Sequence, residues 1–291
     1  AKELFEKAND ILGYRITDIM FNGTDEDLRQ TKVTQPAVFL HSVISALCMG
    51  DDFKPEMTAG HSLGEFSALV AAGALSFEDG LKLVYARAMA MQKACEAQPS
   101  TMAAIIALPD EKVEEICAQV SAEGEVCVAA NYNCPGQIVI TGKTDAVEEA
   151  AAKLKEAGAR RTIMLNVSGP FHSQMLVPAG EKLAEELEHT RFHELRIPYV
   201  TNVTAEKVTD IRETPGLLTT QISSPVRWMQ SMERMIADGV DTFVEIGPGK
   251  TLEGFLRKID RSVKVFHISQ WEDVDKVCEK LADGGNRMEE S

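Results

Sequence analysis

The sequence has few cysteines and no long apolar segment. Its six cysteines among 291 residues form no C-x-x-C pair, which excludes zinc-ribbon and thiol-redox motifs, so we expect reduced thiols and no metal site. No apolar run reaches the roughly 20 residues needed to cross a bilayer, and the first residues lack the pattern of a secretory signal. We therefore expect no membrane association and a cytoplasmic location.

Basic residues are scarce relative to acidic ones. Thirty lysines and arginines stand against 45 aspartates and glutamates, which gives a formal charge of −15. This excess of negative charge argues against nucleic acid binding and repels an acidic protein at long range, so an acidic partner would need a local basic patch. The rest of the composition, 44% hydrophobic and 26% charged, is ordinary for a globular protein, and we expect a monomer.

The apolar spacing of the first hundred residues predicts three helices and one short strand. They are helix 35–49, with Pro36 in its first turn, strand 56–59, helix 65–72 and helix 77–97. The last helix carries Arg87 among leucine, valine, alanine and methionine residues. A charge in such an apolar stretch needs a specific reason.

Residues 101–167 predict a β-α-β-β-α-β series, which is the order of a ferredoxin-like subdomain. We assign this subdomain to residues 100–168, inserted into an α/β core formed by residues 1–99 and 169–291. The pattern beyond it predicts strand 198–202, helix 226–238, strand 242–246 and helix 252–259. Alternating strands and helices favour the α/β class with a mainly parallel, hydrolase-like sheet.

The segment Gly60-His61-Ser62-Leu63-Gly64 is a G-x-S-x-G pattern between a predicted strand and a predicted helix. The two glycines are expected to let the backbone turn sharply and the helix pack closely. Ser62 would then be exposed as a nucleophile, with the Leu63 amide directed toward a developing oxyanion. The pattern also occurs in ordinary turns, so its context decides.

A serine nucleophile needs a base, and His172 in V-S-G-P-F-H-S is the best candidate because it lies in a loop after the β-α-β-β-α-β series. The other histidines fit structural or solvated positions better. His61 is the exception, since it stands beside Ser62 and either contacts substrate or only packs.

Several separated motifs occur together in this chain. They are T-Q-P at 34–36, G-H-S-L-G-E at 60–65, Arg87, N-Y-N-C-P-G-Q at 131–137, the loop ending at His172 and E-I-G-P-G at 245–249. In this order they resemble the malonyl-CoA:acyl carrier protein transacylases, the acyltransferase family shared by fatty acid and polyketide synthases. The resemblance covers nearly the whole chain.

This resemblance implies a ping-pong transfer of malonyl from malonyl-CoA to the phosphopantetheine thiol of acyl carrier protein, in fatty acid biosynthesis. Ser62 would carry the malonyl ester, and His172 would act as base and acid in both half-reactions. A backbone carbonyl orients the histidine in this family, and Gln221 in Q-I-S-S-P-V matches that position, although a plain loop glutamine is the alternative. We expect no bound cofactor, and malonyl-CoA enters as a substrate.

The resemblance also implies roles for residues around the acyl group. Arg87 matches a carboxylate clamp, because a planar guanidinium offers two parallel hydrogen bonds to the free carboxylate of malonyl; otherwise it extends from an amphipathic helix to solvent. Phe171 matches a residue that disfavours branched acyl groups. Gln35 and Asn131 match positions near the acyl pocket, or else they satisfy buried backbone groups.

Two basic groups are candidate docking sites for an acidic carrier protein and for the phosphates of coenzyme A. One consists of Arg160 and Arg161, and the other includes Arg257 and Lys258. Ordinary solvated faces are the competing interpretation.

Members of this family normally begin with an apolar strand that runs into a G-Q-G-x-Q loop, whose glutamine supplies a second oxyanion amide. This chain opens at Ala1-Lys2-Glu3-Leu4-Phe5 instead, so we expect either a trimmed chain or a true truncation. A true truncation would lose roughly 100- to 1,000-fold in turnover. One competing function is a serine thioesterase or acyl hydrolase, which uses the same G-x-S-x-G turn with water as the acceptor. The other is a noncatalytic acyl-binding protein, if the chain is truly truncated.

Overall fold

The computed structural model describes residues 1–122, 124–167 and 169–286. Ser168, the expected end of the inserted segment, and residues 287–291 lie outside this part of the chain. Among the described residues, none of the helices combines the length and apolar character that a bilayer crossing requires.

Most of the described chain is helical. The α-helices are α1 (Lys2–Leu12), α2 (Ile16–Asn22), α3 (Asp25–Arg29), α4 (Thr31–Cys48), α5 (Gly64–Ala71), α6 (Phe77–Ala97), α7 (Asp110–Ala122), α8 (Thr144–Glu156), α9 (Val177–Glu188), α10 (Thr214–Gln221), α11 (Trp228–Ala237), α12 (Thr251–Ile259) and α13 (Trp271–Asn286). Short 3-10 helices span Gly50–Asp52, Gln174–Leu176 and Ile211–Glu213.

The strands form three separate sheets in the described residues. The strands are β1 (Thr58–Ala59), β2 (Ser100–Ile106), β3 (Cys127–Cys134), β4 (Gln137–Lys143), β5 (Arg161–Met164), β6 (Tyr199–Val200), β7 (Lys207–Val208), β8 (Thr242–Ile246) and β9 (Lys264–Ile268). The sheet orders are β1-β6-β7, β3-β4-β2-β5 and β8-β9. Outside the four-stranded sheet, β1–β6 and β8–β9 pair in parallel and β6–β7 pairs antiparallel. The result is a mixed α/β fold.

Helix α6 is the central support of the largest apolar core. Its N-terminus is capped by Ser76, whose hydroxyl accepts a hydrogen bond from the Asp79 amide. The buried residues of α6 recur three or four positions apart, as in a helix with one apolar face. This face packs against α4 and α9 in a cluster that includes Phe39, Leu81 and Leu183. The packing fixes the position of the one arginine on the buried face.

The four-stranded sheet carries helices α7 and α8 on one face. Its strand pairs are all antiparallel. Alternate residues of β2 point to opposite faces: Ile105 joins the cluster with α7 and α8, whereas Ala104 joins a smaller cluster that contacts Phe171. The second face is therefore directed toward the loop that carries the predicted base.

The predicted elements occur in the predicted order, and helix α6 and strand β8 have the predicted bounds. The prediction that Pro36 lies in the first turn of its helix was wrong. Helix α4 begins at Thr31, so Pro36 lies in its second turn rather than its first. The reason is that Val33 is the only apolar residue in the first turn of α4, and a single apolar residue gives no helical spacing.

Candidate functional site

Ser62 lies in the turn between β1 and α5, and its backbone is in the left-handed region with φ of 53°. Gly60 makes this turn possible. A Cβ on Gly60 would lie 1.9 Å from backbone atoms of Gly64, a separation that no side chain tolerates. The chain therefore needs glycine at this position for the serine to occupy the apex of the turn.

The expectation for Gly64 was wrong. Apart from its chain neighbours and the backbone of its own helix, no described heavy atom lies within 4 Å of the position that a Gly64 Cβ would take, and the φ of Gly64 is not in the left-handed region. Gly64 starts α5 beside open space. Close packing of the helix therefore does not explain this glycine.

His172 is the hydrogen-bond partner of the serine hydroxyl. Its Nε2 lies 2.9 Å from Ser62 Oγ, although the two residues are 110 positions apart in the chain. The loop that carries His172 is tied down because the His172 amide donates to the Ile222 carbonyl at 3.1 Å, and His172 itself has φ of 61°. Only 3% of the histidine is exposed.

The tautomer of His172 follows from the neighbours of its other nitrogen. Nδ1 lies 2.9 Å from the Gln221 carbonyl oxygen and 3.1 Å from the Ser224 carbonyl oxygen. Both oxygens can only accept, so Nδ1 carries the proton. The lone pair of Nε2 is then directed at the hydroxyl of Ser62.

Burial keeps His172 neutral. Desolvation, followed by the positive charge of Arg87, lowers the pKa of His172 from 6.5 to about 3. The ring is thus neutral and its Nε2 is an unprotonated acceptor throughout the neutral range. This is the protonation state that a base for Ser62 requires.

Arg87 reaches the same hydroxyl from α6. Its Nη2 donates to Ser62 Oγ at 3.0 Å and to Gln221 Oε1 at 3.1 Å, and its Nη1 donates to Gln35 Oε1 at 2.6 Å. The guanidinium carbon lies 5.6 Å from the ring centre of Phe66, within the range of a cation–π contact. The arginine is oriented on several sides.

The guanidinium of Arg87 retains a free donor. Its Nε is buried and has no hydrogen-bond acceptor in the part of the chain that the structure describes. Desolvation lowers the pKa of Arg87 to about 10, which still leaves it cationic at neutral pH. A buried cation with an unused N–H next to the serine is suited to an anionic group on an acyl chain.

Glu65 and Asn202 complete the polar surroundings, and neither was predicted from the sequence. Both are fully buried. Asn202 Oδ1 accepts from the Ser62 amide at 2.8 Å, and Glu65 Oε2 accepts from Gln221 Nε2 at 2.9 Å. Desolvation raises the pKa of Glu65 from 4.5 to about 7. A signal existed in the sequence only for Glu65, which is a charge at the start of an otherwise Ala-rich helix.

The amide of Leu63 has no acceptor among the hydrogen bonds of the described turns and loops. It is the first N–H after Ser62, at the N-cap of α5. An unused N–H at a helix N-terminus beside a serine is a suitable donor to an oxyanion.

A family model described as "Acyl transferase domain" matches residues 2–272. The chain belongs to the acyl transferase family. Among its relatives is the malonyl CoA-acyl carrier protein transacylase of Bacillus subtilis, 41% identical over 282 residues, which are 97% of this chain and 89% of the relative. Solved acyl transferase structures that resemble it include an acyl carrier protein S-malonyltransferase from Vibrio cholerae, with a TM-score of 0.91, 40% identity and coverage of 95% and 90% of the two chains. Another is a malonyl-transacylase in complex with its type II PKS acyl-carrier protein, with a TM-score of 0.92, 35% identity and coverage of 96% and 91%.

In this acyl transferase, His61 is packed rather than free. Its Nε2 lies 2.9 Å from Asn133 Oδ1, and its ring lies 5.4 Å from that of Trp228 and 6.5 Å from that of Phe255. Burial lowers the pKa of His61. The ring is therefore held in place beside Ser62 by one hydrogen bond and by aromatic contacts.

The other predicted pocket residues of the acyl transferase differ in how closely they approach Ser62. Gln35 is in the site, because it accepts from Arg87 while its Nε2 contacts Met91 Sδ at 3.3 Å. Phe171 is half-buried and packs against both the main core and the four-stranded sheet. Asn131 is buried on β3, at a bridge to Val226, and its side chain makes no hydrogen bond within the described residues.

The predicted basic groups lie on the surface of the acyl transferase. Arg160 and Arg161 are exposed at the start of β5 and have no ion-pair partner among the described residues. Arg257 is exposed on α12 but pairs with Glu253 at 2.6 Å, and Lys258 is its exposed neighbour. The first group therefore carries the less compensated charge.

Proposed function

We propose that this acyl transferase moves malonyl from malonyl-CoA to the phosphopantetheine thiol of acyl carrier protein. One observation carries the proposal: Ser62 Oγ lies within 3.0 Å of both a neutral histidine nitrogen and a buried guanidinium. The histidine fits an activated nucleophile, and the guanidinium fits a substrate that bears a carboxylate. The names of its relatives agree with this substrate and acceptor.

In the first half-reaction, Ser62 Oγ attacks the thioester carbonyl while its proton passes to His172 Nε2. The carbon–sulfur bond then breaks, and His172 returns the proton to the sulfur of coenzyme A. In the second half, His172 takes the proton of the carrier thiol, whose sulfur attacks the malonyl ester, and the proton returns to Ser62. The Gln221 carbonyl keeps His172 in the required tautomer throughout.

Negative charge lies at two places in the proposed mechanism, and each has a donor. The Leu63 amide stabilises the oxyanion of the tetrahedral intermediate. Arg87 binds the malonyl carboxylate through Nε and Nη2, and then Nη2 exchanges its bond with Ser62 Oγ for one to the substrate. Freed from Arg87, the serine hydroxyl is a better nucleophile once malonyl has bound.

We assign the pocket walls to four further residues. Gln35 orients Arg87, and His61 provides an apolar surface beside the thioester. Phe171 limits the room for a branch on the acyl chain, since it lies between the main core and the four-stranded sheet. Asn131 is assigned to the acyl pocket on its burial in β3.

We also propose that the carrier protein docks on exposed arginines. Arg160 and Arg161 are the primary candidates because no acid within the described residues neutralises them. Arg257 and Lys258 are proposed to contribute less, since Arg257 already pairs with Glu253. Local positive charge would overcome the repulsion from the net charge of −15.

The inserted segment is proposed to be a ferredoxin-like subdomain of residues 100–168 within a hydrolase-like core of residues 1–99 and 169–291. In support, its element order is β-α-β-β-α-β, and its sheet order β3-β4-β2-β5 with antiparallel neighbours is that of a split β-α-β unit. The segment separates Ser62 from His172 in the chain and forms one wall of the site between them.

The test is to incubate the protein with malonyl-CoA and measure its intact mass. We expect an added malonyl group that disappears when holo-acyl carrier protein is supplied. The adduct should be absent in Ser62→Ala. Arg87→Ala should form little malonyl adduct but should react with acetyl-CoA at least as well as the wild type.

Two results would contradict the proposal. A malonyl adduct that is lost to water at the same rate with and without carrier protein would identify an acyl hydrolase. No adduct, in a preparation whose Ser62 reacts with a fluorophosphonate, would exclude malonyl-CoA as the acyl donor.

A further inference from the structure

The turn that carries Ser62 is strained, and one side chain holds it from both flanks. A non-glycine residue in the left-handed region costs about 1–2 kcal/mol and persists only where its surroundings hold it. Asn202 Oδ1 accepts from the Ser62 amide at 2.8 Å, and Asn202 Nδ2 donates to the Gly60 carbonyl at 2.7 Å. The two bonds bracket the strained residue.

A carboxamide is the group that this position requires. The Ser62 amide can only donate and the Gly60 carbonyl can only accept, so the orientation of the Asn202 side chain is fixed by its partners. A carboxylate would lack the donor, and an aliphatic side chain would lack both groups. Because Asn202 is fully buried, water does not replace the lost bonds.

Asn202 is itself held by three elements. It lies just beyond β6, which pairs in parallel with β1, the strand that leads to Gly60. Its backbone amide donates to Glu65 Oε2 on α5 at 3.2 Å, and its backbone carbonyl accepts from the backbone amide of Arg227 at 3.0 Å. The side chain is thus anchored before it contacts the serine turn.

The same network reaches the base. Gln221 Nε2 donates to Glu65 Oε2 at 2.9 Å and to the Ser62 carbonyl at 2.8 Å, and lies 3.3 Å from Asn202 Oδ1. The Gln221 carbonyl accepts from His172. Ser62 and His172 are therefore both hydrogen-bonded to one buried polar cluster, which sets the distance between them.

We propose that Asn202 is a positioning residue of the acyl transfer, which holds the strained Ser62 turn so that the serine oxygen meets His172 Nε2. The inference rests on the proposed function, since it takes Ser62 as the nucleophile. Asn202 contacts neither Arg87 nor the region assigned to the acyl chain. Its loss should slow the reaction of Ser62 with every electrophile and leave the preference among acyl donors unchanged.

The test uses Asn202→Ala and a neutral fluorophosphonate, which phosphonylates Ser62 with loss of fluoride and needs no carboxylate clamp. We expect the second-order rate of labelling to fall about 10- to 100-fold, the effect of losing two buried hydrogen bonds. The final amplitude should remain one label per chain. The kcat/KM values for malonyl-CoA and acetyl-CoA should fall by the same factor, so that their ratio is unchanged.

Two further variants separate positioning from folding. Asn202→Asp keeps an acceptor for the Ser62 amide, but its buried carboxyl group can donate to the Gly60 carbonyl only when it is protonated. Its labelling rate should therefore fall less than that of Asn202→Ala near pH 5 and at least as much near pH 8. Thr214→Val is the matched control, because it removes a buried hydrogen bond of 2.8 Å to Tyr199 on the same strand β6 without touching the serine turn. It should be labelled at the wild-type rate.

A labelling rate for Asn202→Ala within twofold of the wild type would overturn the inference. So would a lower amplitude at an unchanged rate, since that result means a misfolded fraction rather than a misplaced serine. Fluorophosphonate labelling requires no malonyl group. Its outcome therefore decides the role of Asn202 even if the wild type does not transfer malonyl.

Discussion

At the scale of single residues, the site combines a neutral histidine with a nearby cation. The pKa of His172 is lowered first by burial and then by Arg87. The rate at which Ser62 is labelled should therefore fall on the acid side only well below pH 6.5, the ordinary pKa of histidine. We call this fall the acid limb. Fluorophosphonate labelling measured from pH 4 to 8 checks this, with intact fold verified by circular dichroism.

The contribution of Arg87 to that limb is separately testable. In Arg87→Ala the cation is removed and solvent enters, and both changes raise the pKa of His172. We expect the acid limb of labelling to move upward by about one pH unit. An unchanged limb would mean that Arg87 does not influence the histidine.

Glu65 makes stability depend on pH in an unusual direction. Its pKa is about 7 in the folded protein against an ordinary 4.5, so between these values the folded state binds a proton that the unfolded state has released. Stability from this group is thus fully present below pH 4.5 and is lost as pH rises to 7.

Glu65→Gln should prevent this loss of stability, because glutamine does not ionise. Relative to the wild type, the free energy of unfolding of Glu65→Gln should rise by up to about 3 kcal/mol between pH 4.5 and pH 8. Urea denaturation at the two pH values measures it. A difference that does not change with pH would show that Glu65 titrates normally.

Single residues also show where sequence reasoning stops. Ser62, His172 and Arg87 could be singled out because each is a reactive or charged side chain in a distinctive pattern, and in the structure the three lie together. Asn202 could not, since an asparagine after a strand is common and its importance depends on a contact 140 positions away. Short-range patterns do not contain that contact.

At the scale of elements, the turn between β1 and α5 depends on one of its two glycines. Gly60→Ala would place a Cβ 1.9 Å from Gly64, so the start of α5 must move. We expect a loss of stability of about 1–3 kcal/mol and little fluorophosphonate labelling. Chemical denaturation and labelling rates give both values.

Gly64→Ala is the matched control for that change. Apart from its chain neighbours and the backbone of its own helix, the added methyl group meets no described heavy atom within 4 Å, and alanine is the better helix former at the start of α5. The free energy of unfolding should stay within about 1 kcal/mol of the wild type or rise. Equal damage from both substitutions would contradict the steric account of Gly60.

The bounds of an element were predictable where it is a long amphipathic helix and less so where it is a short strand. Helix α6 shows its apolar face over 21 residues and was found at its true bounds. Strands β1 and β6 contain two residues each, so the strands 56–59 and 198–202 were predicted too long. Both strands are short because the chain turns away from the sheet soon after each of them. It forms the serine turn after β1 and places Asn202 against that turn after β6.

At the scale of the whole molecule, the charge distribution governs encounters with a partner. Arg160→Glu with Arg161→Glu should raise the KM for acyl carrier protein about 3- to 10-fold and reduce its dependence on salt. Malonylation of Ser62 by malonyl-CoA should stay the same. Steady-state kinetics at two ionic strengths measure the first effect, and single-turnover mass spectrometry the second.

A control with the same change of net charge is available. Lys182→Glu with Arg212→Glu also reverses two exposed cations, which the protein pairs with Glu185 and Asp210. Its KM for the carrier should change less than that of the Arg160 and Arg161 variant. If both double variants behave alike, net charge rather than a docking site controls the encounter.

The polar contacts of Ser62 with His172, Asn202 and Gln221 span 110, 140 and 159 positions of the chain. During synthesis, the serine therefore leaves the ribosome long before His172, Asn202 and Gln221 exist. A nascent chain has a G-x-S-x-G sequence but no activated hydroxyl, and it cannot consume coenzyme A thioesters. Under the proposed mechanism, Ser62 becomes reactive only after the residues from His172 onward have folded against the serine turn. The order of translation should therefore prevent an incomplete chain from reacting with coenzyme A thioesters.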